Sequence, residues 1–534
     1  MKEAFWHKDE SVPLAEITVG SLLAQRAAER PDSPALVGSS HGSGVQRRLT
    51  YGELYEEARR AARALLRLAR PGDYVALWAQ NVVEWPIFQY AAALAGVRLV
   101  ALNPVLRAHD VTYALNHSES VVLVHADRSR DYDLAAVVAS VRDDCPKLRH
   151  VISLSDWDSW LESGDEGEPL PEIDADAPVM LQYTSGTTGK PKGVLLRHRS
   201  LVNVAKLTME TAEVPRGVVA VNPLPMFHTA ACVIGTLGPL WLGGCEVLIE
   251  RFEPTAALDV LRAERADVLF YVPTVLGAVI EAAAKSDEPA PTLHTVMGGA
   301  ANVPRSMIEA AERVFGAFVH NLYGQTELAP VLSMTRRGDS REDQVNTVGR
   351  PLPQVDCKIV DPVTGQTQPL GVPGEVCARG YQQLVEYLHD PDATARTVDP
   401  EGFVHTGDLG RMDERGMITL SGRIKDVIIR GGENIAPVEV EACLAGHDDV
   451  LEVAVVGVPD EKWGETVGAI VRLSGSPRPG LRDELEALCR AQLAPHKVPQ
   501  HWLLADALPV TPTGKVQKFK LVDAVVKDTL ESLP

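Results

Sequence analysis

Along the first 350 residues, segments with the hydrophobic period of a helix alternate with short apolar segments typical of strands. Thr50-Tyr51-Gly52-Glu53 is typical of a helix N-terminus, and the amphipathic run behind it predicts a helix that reaches Leu68. Short apolar runs predict strands at 74–78 and 97–102, with a helix at 85–95 between them. This strand–helix–strand order repeats, so we predict an α/β fold of parallel sheets with helices on both faces. Ligands of such sheets lie at the carboxyl ends of the strands.

The pattern changes in the last third of the chain. From Gly349 to Ile418, short strands separated by turns predict a small antiparallel β-barrel. After Asp426 the pattern becomes α+β, with helices predicted at 437–445 and 481–493 and strands at 451–458 and 467–473. We therefore predict a large N-terminal domain, residues 1–424, and a small C-terminal domain, residues 425–534.

Composition limits the classes of function. A chain of 534 residues is too long for one hydrophobic core, so two or more domains are expected. With 52 basic and 72 acidic residues, the net charge of −20 argues against binding to nucleic acid. Seven cysteines without a C-x-x-C spacing indicate neither a zinc site nor a disulfide framework, and they favour a cytoplasmic location.

One apolar stretch is long enough to span a bilayer. Residues 217–245 include no Asp, Glu, Lys or Arg over 29 positions. Prolines and glycines interrupt it, so we predict a buried strand, a loop and a core helix, and no transmembrane segment. The charged first ten residues predict no secretory signal.

The segment from Thr184 to Gly193, Thr-Ser-Gly-Thr-Thr-Gly-Lys-Pro-Lys-Gly, predicts a nucleotide-binding loop. Its hydroxyls, glycines and lysines can surround a polyphosphate with backbone N–H groups and positive charge. It is not a Walker A loop, because Thr184 and Pro191 stand where that motif needs Gly and Ser or Thr. It is not a nucleophile elbow, because Tyr183 precedes Ser185 where glycine is required. A plain Gly/Ser/Thr linker is the alternative, but the apolar runs 179–181 and 194–196 flank the loop as strands would.

This loop strongly resembles the phosphate loop of the adenylate-forming superfamily, which includes acyl-CoA synthetases, adenylation domains of peptide synthetases and firefly-type luciferases. The resemblance continues in order along most of the chain. The other matching segments are Asn222-Pro223-Leu224-Pro225-Met226-Phe227-His228, Gly298-Gly299-Ala300-Ala301, Tyr323-Gly324-Gln325-Thr326-Glu327, His405-Thr406-Gly407-Asp408, Gly422-Arg423-Ile424-Lys425-Asp426, Gly431-Gly432-Glu433-Asn434 and Thr513-Gly514-Lys515-Val516.

The resemblance implies a set of groups that activate a carboxylate with ATP. Displacement of pyrophosphate from the α-phosphate builds charge that cations and Mg²⁺ stabilise. By resemblance, Lys515 contacts the α-phosphate and the substrate carboxylate, Glu327 binds Mg²⁺, and Thr326 contacts a phosphate. A solvated lysine near the C-terminus is the alternative for Lys515. The triphosphate-binding set is Thr184, which is also a catalytic candidate, with Ser185, Gly186, Thr187, Thr188, Gly189 and Lys192.

A second set is implied for the nucleoside. Tyr323 would stack on the adenine of ATP or AMP, with Gly299, Ala300 and Ala301 on the other side of the ring. Asp408 and Arg423 would bind the ribose. The remaining candidate contacts are Asn321, Gly324 and Gln325. A buried structural tyrosine and a loop cap are the alternatives for Tyr323 and Asp408.

A third set is implied for the thiol step. His228 matches a gate between the acyl pocket and the thiol channel, and a core histidine is the alternative. Gly431, Gly432 and Glu433 match the loop that lines the pantetheine tunnel after the C-terminal domain rotates, unless they form an ordinary strand turn. Lys425 matches the hinge of that rotation, unless it lies in a plain surface turn.

Two residues depart from the family pattern. Leu322 stands before Tyr323 where relatives commonly carry a small residue, and it could narrow the adenine or acyl wall. Glu386 precedes Tyr387 where relatives often have glycine, and a carboxylate near a triphosphate would repel it.

The resemblance implies an acyl-CoA synthetase that uses ATP, Mg²⁺ and coenzyme A. A hydrophobic carboxylic acid is expected, because Gly298 to Ala301 with Met226 and Cys232 indicate a roomy apolar pocket. Three alternatives remain open: an adenylating enzyme that loads a carrier protein in trans, an enzyme that performs mainly the thioester step, and a nonenzymatic nucleotide-binding regulator. The sequence is compatible with an oligomer.

Overall fold

The structure is a computed structural model of the chain, and it describes residues 3–164, 169–184, 191–299, 303–431, 433–510 and 516–534. The chain divides into two compact units. The larger unit contains Trp6–Cys357 and Ala378–Val404, and the smaller contains Met1–Phe5, Lys358–Cys377 and His405–Pro534. A domain boundary between residues 424 and 425 stays a prediction.

The larger unit contains a seven-stranded sheet. Its strand order is Glu386–Tyr387, Lys192–Arg197, Pro178–Thr184, Arg98–Leu102, Tyr74–Trp78, Val122–His125 and His150–Ser153. The first two strands pair antiparallel to their neighbours, and the rest pair in parallel. The predicted parallel sheet is thereby confirmed, with an antiparallel hairpin added at the edge that carries the nucleotide-binding loop.

A nine-stranded sheet completes the sheets of the α/β core. Its strand order is Arg350–Pro351, Ser333–Met334, Phe318–Tyr323, Thr295–Gly299, Val268–Tyr271, Val219–Asn222, Cys245–Leu248, Pro34–Ser39 and Gln46–Thr50. The pairs from Phe318–Tyr323 to Pro34–Ser39 are parallel, and the outer pairs are antiparallel. Strand Val268–Tyr271 is buried along its whole length, as expected of a strand covered on both faces.

Helices cover these sheets. They are Val19–Glu29, Tyr51–Leu66, Glu84–Ala95, Ala108–His117, Leu134–Val141, Trp157–Glu162, His198–Thr211, Thr236–Leu242, Pro254–Ala263, Pro273–Lys285, Arg305–Phe315, Arg341–Asn346 and Pro391–Thr397.

The predicted capping box at Thr50 is confirmed. The Glu53 N–H donates to Thr50 Oγ1 over 3.3 Å, and the Thr50 N–H donates to the Glu53 carboxylate over 2.8 Å. These bonds satisfy two N–H groups that a helix start leaves unpaired. The helix ends at Leu66, two positions before the predicted end at Leu68.

The apolar stretch of residues 217–245 folds as predicted. It forms strand Val219–Asn222, a loop, the π-helix Ala230–Gly235 and helix Thr236–Leu242. Among the described residues, we find no helix with the length and apolar character needed to cross a membrane.

The region predicted as a small barrel supplies three strands of a five-stranded sheet. The strand order is Phe5–Trp6, Val355–Val360, Gly374–Gly380, Val404–Met412 and Ile418–Arg423. The last two strands form an antiparallel pair that carries Asp408 and Arg423.

The C-terminal part has the predicted α+β pattern. Its sheet has the order Glu433–Ile435, Ile428–Arg430, Gly464–Leu473, His501–Leu504 and Glu531–Ser532, and Val450–Asp460 also pairs with Gly464–Leu473. Its helices are Pro437–Leu444, Leu481–Gln492 and Lys518–Val526. The long hairpin extends beyond the predicted strands, because the ladder continues through polar residues to the pair Asp460 and Gly464.

Candidate functional site

The predicted nucleotide-binding loop lies between two antiparallel strands. Strands Pro178–Thr184 and Lys192–Arg197 form a hairpin in which Thr184 is paired with Lys192. The flanking strands predicted from the apolar runs are therefore confirmed. Ser185, Gly186, Thr187, Thr188 and Gly189 lie outside the described residues, so their roles stay predictions.

Helix Ala108–His117 holds both stems of this loop. The Tyr113 hydroxyl donates to the Pro191 carbonyl over 2.9 Å, where the chain leaves the loop. The Tyr183 hydroxyl, on the entering strand, donates to the Ala114 carbonyl over 3.0 Å and lies 3.1 Å from His117 Nδ1. Burial lowers the pKa of His117, so its ring stays neutral near pH 7. Hydrogen bonds to this helix therefore hold the chain on both sides of the loop.

Tyr387 joins two predicted site residues. The ammonium of Lys192 lies 4.7 Å from the centroid of the Tyr387 ring. The Tyr387 hydroxyl donates to Glu327 Oε1 over 2.7 Å. Burial, and then the charge of Glu327, raise the pKa of Tyr387, so its hydroxyl keeps the proton it donates. We refer to Lys192, Tyr387 and Glu327 as the tyrosine cluster.

Tyr387 was missed by sequence reasoning. Its signal was present, because Glu386-Tyr387 occupies the place where relatives end a similar segment with Gly-Tyr. Glu386 is the residue that departs from the family pattern, whereas Tyr387 beside it makes the contact to Glu327.

Glu327, the predicted magnesium ligand, offers a carboxylate oxygen that suits this ion. It is half-buried and lies in the 3₁₀ turn Thr326–Leu328, which the Leu384 N–H fixes by donating to the Glu327 carbonyl over 2.8 Å. One carboxylate oxygen accepts from Tyr387, and within the described part of the chain the other accepts no hydrogen bond. Mg²⁺ commonly binds through one or two carboxylates together with phosphate oxygens and water. The residues present therefore fit the ion.

Glycines 298 and 299 are required by close backbone contacts. They end a strand whose Gly299 pairs with Leu322 of the next parallel strand. A Cβ on Gly299 would lie 2.1 Å from the Leu322 carbonyl oxygen, and its φ of 155° disfavours other residues. The end of this strand therefore carries no side chain at positions 298 and 299. Ala300 and Ala301 lie outside the described residues.

Tyr323 and Asn321 share one face of strand Phe318–Tyr323. Side chains alternate along a strand, so Leu322 lies on the opposite face. Tyr323 is 8% exposed, and its carbonyl accepts from the Leu332 N–H over 2.8 Å. The expected narrowing by Leu322 therefore does not act on the face of Tyr323.

Gly324 and Gln325 connect that strand to the turn of Glu327. A Cβ on Gly324 would lie 2.0 Å from the Pro330 carbonyl oxygen, so this position has a structural need for glycine. Gln325 is the N-cap of the turn that holds Thr326 and Glu327. Three of the predicted nucleotide contacts, Gly324, Gln325 and Thr326, therefore immediately precede the predicted metal ligand in the chain.

Glu386 is exposed and lies beside Tyr387 on the same short strand. Alternation directs it to the face opposite the one from which Tyr387 contacts Glu327. The Glu386 carboxylate therefore does not share the face on which Tyr387 contacts Glu327, and its expected repulsion of a triphosphate stays a prediction.

His228 lies two residues before the π-helix Ala230–Gly235. Its ring Nδ1 accepts from the Ala230 N–H over 3.3 Å, and its carbonyl accepts from the N–H groups of Ala231 and Cys232. The residue is half-buried, whereas a core histidine such as His198 is 1% exposed. π-Helical turns are frequent at functional sites. These features favour the gate over the core alternative.

In the smaller unit, the two predicted ribose residues contact each other. Asp408 and Arg423 are paired across antiparallel strands, and Arg423 Nε donates to Asp408 Oδ1 over 2.9 Å. The Asp408 N–H donates to Thr406 Oγ1 over 3.1 Å, and that hydroxyl donates to the Val376 carbonyl over 2.7 Å. Arg423 thereby orients the carboxylate of Asp408, and Thr406 fixes its backbone.

Glu375 supports the same segment and was also missed. Its Oε1 accepts from the Gly407 N–H over 2.9 Å, and its Oε2 accepts from His405 Nδ1 over 2.8 Å. Ligand-type atoms of Glu375, Cys377 and His405 lie within 4.8 Å of one another. Because both carboxylate oxygens are already engaged, the cluster serves to shape the turn at Gly407. The available signal was a single carboxylate within the mostly buried strand Gly374–Gly380.

The glycine turn proposed for pantetheine packs on a tryptophan. Gly431 has a φ of 60°, donates its N–H to the Trp463 carbonyl over 2.7 Å, and would place a Cβ 2.7 Å from the Trp463 ring. Glu433 is exposed and pairs with Arg430. Gly432 lies outside the described residues.

Lys425 and Lys515 are the two lysines predicted to act in domain alternation. Lys425 is exposed in the 3₁₀ turn Ile424–Asp426. Lys515 lies outside the described residues, and a bridge between Val510 and Val516 brackets its segment. Both roles stay predictions.

Residues 23–388 match the AMP-binding enzyme family, and residues 439–515 match the AMP-binding enzyme C-terminal domain. The chain belongs to the AMP-binding enzyme family. Together with its relatives, this match places the enzyme in the acyl-CoA ligase branch of the adenylate-forming superfamily. The predicted family and the α/β fold class are confirmed.

Three relatives span nearly the whole enzyme. YngI of Bacillus subtilis (strain 168) is 35% identical over 547 residues, 96% of this chain and 98% of that protein. The mitochondrial medium-chain acyl-CoA ligase ACSF2 of Bos taurus is 32% identical over 553 residues, 95% of this chain and 87% of that protein. The Mycobacterium tuberculosis fatty acyl CoA synthetase is 30% identical with a TM-score of 0.75, covering 96% of this chain and 99% of that one.

Proposed function

We propose that the enzyme is an AMP-forming acyl-CoA synthetase for a hydrophobic carboxylic acid. In the first step, a carboxylate oxygen attacks the α-phosphorus of ATP, and the bond to the departing pyrophosphate breaks. In the second step, the thiol of coenzyme A attacks the acyl carbonyl, loses its proton, and releases AMP. The observation that carries the proposal is the tyrosine cluster, which connects the stem of the phosphate loop to a half-buried carboxylate.

The first step needs positive charge around the phosphates. Lys192 supplies one cation beside the loop, and its ammonium is held over the Tyr387 ring. Glu327 would hold Mg²⁺, which when bound would neutralise charge on the triphosphate. Lys515 would contact the α-phosphate, as its motif implies. The protein thus contributes positioning and electrostatics rather than a covalent nucleophile.

The pairing of Asp408 and Arg423 supports ribose binding. Asp408 is 6% exposed, its carboxylate accepts from Arg423, and its backbone N–H donates to Thr406. A carboxylate fixed in this way is a strong acceptor for sugar hydroxyl groups. We propose that this pair binds the ribose of ATP and AMP.

The surface around Trp463 supports coenzyme A as the acceptor. The ring is 42% exposed and has Arg430 at 5.5 Å and Lys462 at 4.9 Å from its centroid. An exposed ring with adjacent cations fits an adenine nucleotide that carries phosphates. Gly431 packs on the same ring, so the predicted pantetheine turn and this surface are continuous. Lys425 is the proposed hinge of the alternation between the two steps.

The acid is proposed to be of medium length and apolar. The segment after His228 carries small or apolar side chains, and Met226 and Cys232 are fully buried near it. The ligase ACSF2, at 32% identity, is named for medium-chain acids. No second function is favoured by an observation of comparable weight.

A panel of acids tests this function. We would incubate the enzyme with ATP, Mg²⁺, coenzyme A and straight-chain, aryl or amino acids, and measure AMP and acyl-CoA by chromatography. Equal amounts of AMP and acyl-CoA are expected with medium-chain acids, and none with amino acids. Absence of AMP with every acid would reject the proposal.

A further inference from the structure

The phenol of Tyr387 contacts two charged groups of opposite sign. Its hydroxyl donates to Glu327 Oε1 over 2.7 Å, and its ring lies under the Lys192 ammonium at 4.7 Å. Glu327 and Tyr387 are 60 positions apart in sequence, and Lys192 comes from a third segment. One side chain thereby links the end of the phosphate-loop hairpin to the turn of the carboxylate.

We propose that Tyr387 is a positioning residue that orients Glu327 for a divalent cation and holds Lys192 beside the phosphate loop. This inference rests on the proposed function of the site. It assigns to Tyr387 no contact with the reacting atoms.

The hydrogen bond selects which carboxylate oxygen meets the cation. Glu327 Oε1 is occupied by the phenol, and in the described residues Oε2 has no hydrogen-bond donor. The carbonyl of the same residue is fixed by the Leu384 N–H over 2.8 Å, so both the backbone and the side chain of Glu327 have one preferred arrangement. Groups behind a metal ligand commonly set its orientation, and their loss weakens metal affinity or activity about 10-fold to 100-fold.

The position of the Tyr387 side chain is fixed, so its hydroxyl can donate to Glu327 in one geometry. Tyr387 is 6% exposed, and a phenol hydroxyl can donate one hydrogen bond. The backbone supports its place too, because Tyr387 N–H donates to Thr394 Oγ1 over 2.9 Å and Leu388 N–H donates to the Gly193 carbonyl over 2.8 Å.

The ring and the hydroxyl have separable roles. Tyr387→Phe removes only the hydroxyl, so the stacking under Lys192 and the packing remain. Glu327 then loses its orienting donor. Lys192→Met leaves that donor in place and removes the cation over the ring. The two changes should therefore affect the cation and the triphosphate differently.

Mn²⁺ provides a readout that does not depend on turnover. Mn²⁺ would replace Mg²⁺, and the EPR signal of free Mn²⁺ would be titrated against the full-length protein with an equal concentration of ATP and no acid, beside a blank that contains ATP alone. We expect Tyr387→Phe to weaken Mn²⁺ binding by about 10-fold or more. Lys192→Met should mainly weaken ATP binding, measured by calorimetry without the metal.

Tyr51→Phe is the matched control. The Tyr51 hydroxyl is also buried and donates to the Gly244 carbonyl over 2.6 Å, in a part of the same unit that lacks the tyrosine cluster. Its loss has a similar cost in stability and should leave Mn²⁺ affinity at the wild-type value. Melting temperatures of both variants check that both remain folded.

A double variant tests whether Tyr387 acts by orienting Glu327 or by stabilising the surrounding structure in general. If Tyr387 acts through Glu327, adding Tyr387→Phe to Glu327→Gln should cause no further loss of Mn²⁺ affinity, because the oriented carboxylate is already absent. Additive losses, or wild-type Mn²⁺ affinity in Tyr387→Phe, would overturn the inference. Failure of the proposed function would show separately, as absent pyrophosphate release by the wild type while the Mn²⁺ titration still ranks the variants.

Discussion

Arg423 Nε donates to Asp408 Oδ1 over 2.9 Å, and the two residues lie opposite each other on neighbouring antiparallel strands. The Asp408 side chain is 9% exposed and that of Arg423 is 40% exposed. The carboxylate is thus largely removed from water, and the guanidinium both orients it and stabilises its charge. The Asp408 carboxylate is therefore a preorganised acceptor for the hydroxyl groups of a ligand.

Arg423→Gln should weaken nucleotide binding. Hydrogen bonds between charged groups contribute about 1.5–3 kcal/mol, so the KM for ATP should rise by roughly 10-fold or more. Arg415→Gln is the control, because Arg415 pairs with Asp413 in an exposed turn beyond the same strand pair. Steady-state kinetics compares the two. An equal KM for ATP in both variants would argue against a role of Asp408 in ribose binding.

His228→Ala should change chemistry more than stability. The ring is half-buried, so its removal leaves no large cavity, while the acyl preference and the rate of thioester formation should change. His198→Ala is the comparison, because His198 is 1% exposed and accepts from the Val19 N–H. Its loss should cost about 2–5 kcal/mol in unfolding free energy, the range for buried truncations. A similar loss of stability in His228→Ala would favour the core alternative.

A buried carboxylate should make stability depend on pH. Glu246 is 3% exposed, and burial raises its pKa to about 8, although Asn222 and Thr236 donate to it. The folded state therefore binds this proton more tightly than the unfolded state, whose pKa is near 4.5. The associated stability is fully present below about pH 4.5 and is lost as pH rises through about 8.

Glu246→Gln should remove that dependence, because an amide does not titrate. Urea unfolding between pH 5 and about 8 should show wild-type stability falling relative to the variant by up to about 1.4 kcal/mol per pH unit. A difference between the two proteins that stays constant over this range would mean that Glu246 titrates normally.

The two half-reactions should respond to different residues. Lys515→Ala should slow acyl-adenylate formation by roughly 10²–10³, the scale for loss of one preorganised charge-stabilising group. It should leave thioester formation from supplied acyl-adenylate intact. Trp463→Ala should do the reverse. A large residue at Gly431 is a poorer probe, because its φ of 60° and the nearby ring would strain the turn itself. Equal impairment of both steps in Lys515→Ala would contradict domain alternation.

Local features of the fold were legible from the sequence. The capping box at Thr50 and strand Val219–Asn222 depend on neighbouring residues, so their pattern is sufficient. The contact between Tyr387 and Glu327 joins segments 60 residues apart, and no periodicity encodes it. Motif resemblance nominated Glu327 and Asp408, but their supporting partners Tyr387 and Glu375 emerged only when the strands were placed in space.

The fate of the acyl-adenylate tests the synthetase function most directly. We would mix wild-type enzyme with ATP, Mg²⁺ and the best acid from the panel, quantify pyrophosphate and acyl-adenylate, and then add coenzyme A. Pyrophosphate and bound acyl-adenylate should form without coenzyme A, and its addition should convert the intermediate to acyl-CoA and AMP in equal amounts. Acyl-adenylate that forms but persists after coenzyme A is added would contradict the synthetase function and indicate another acceptor.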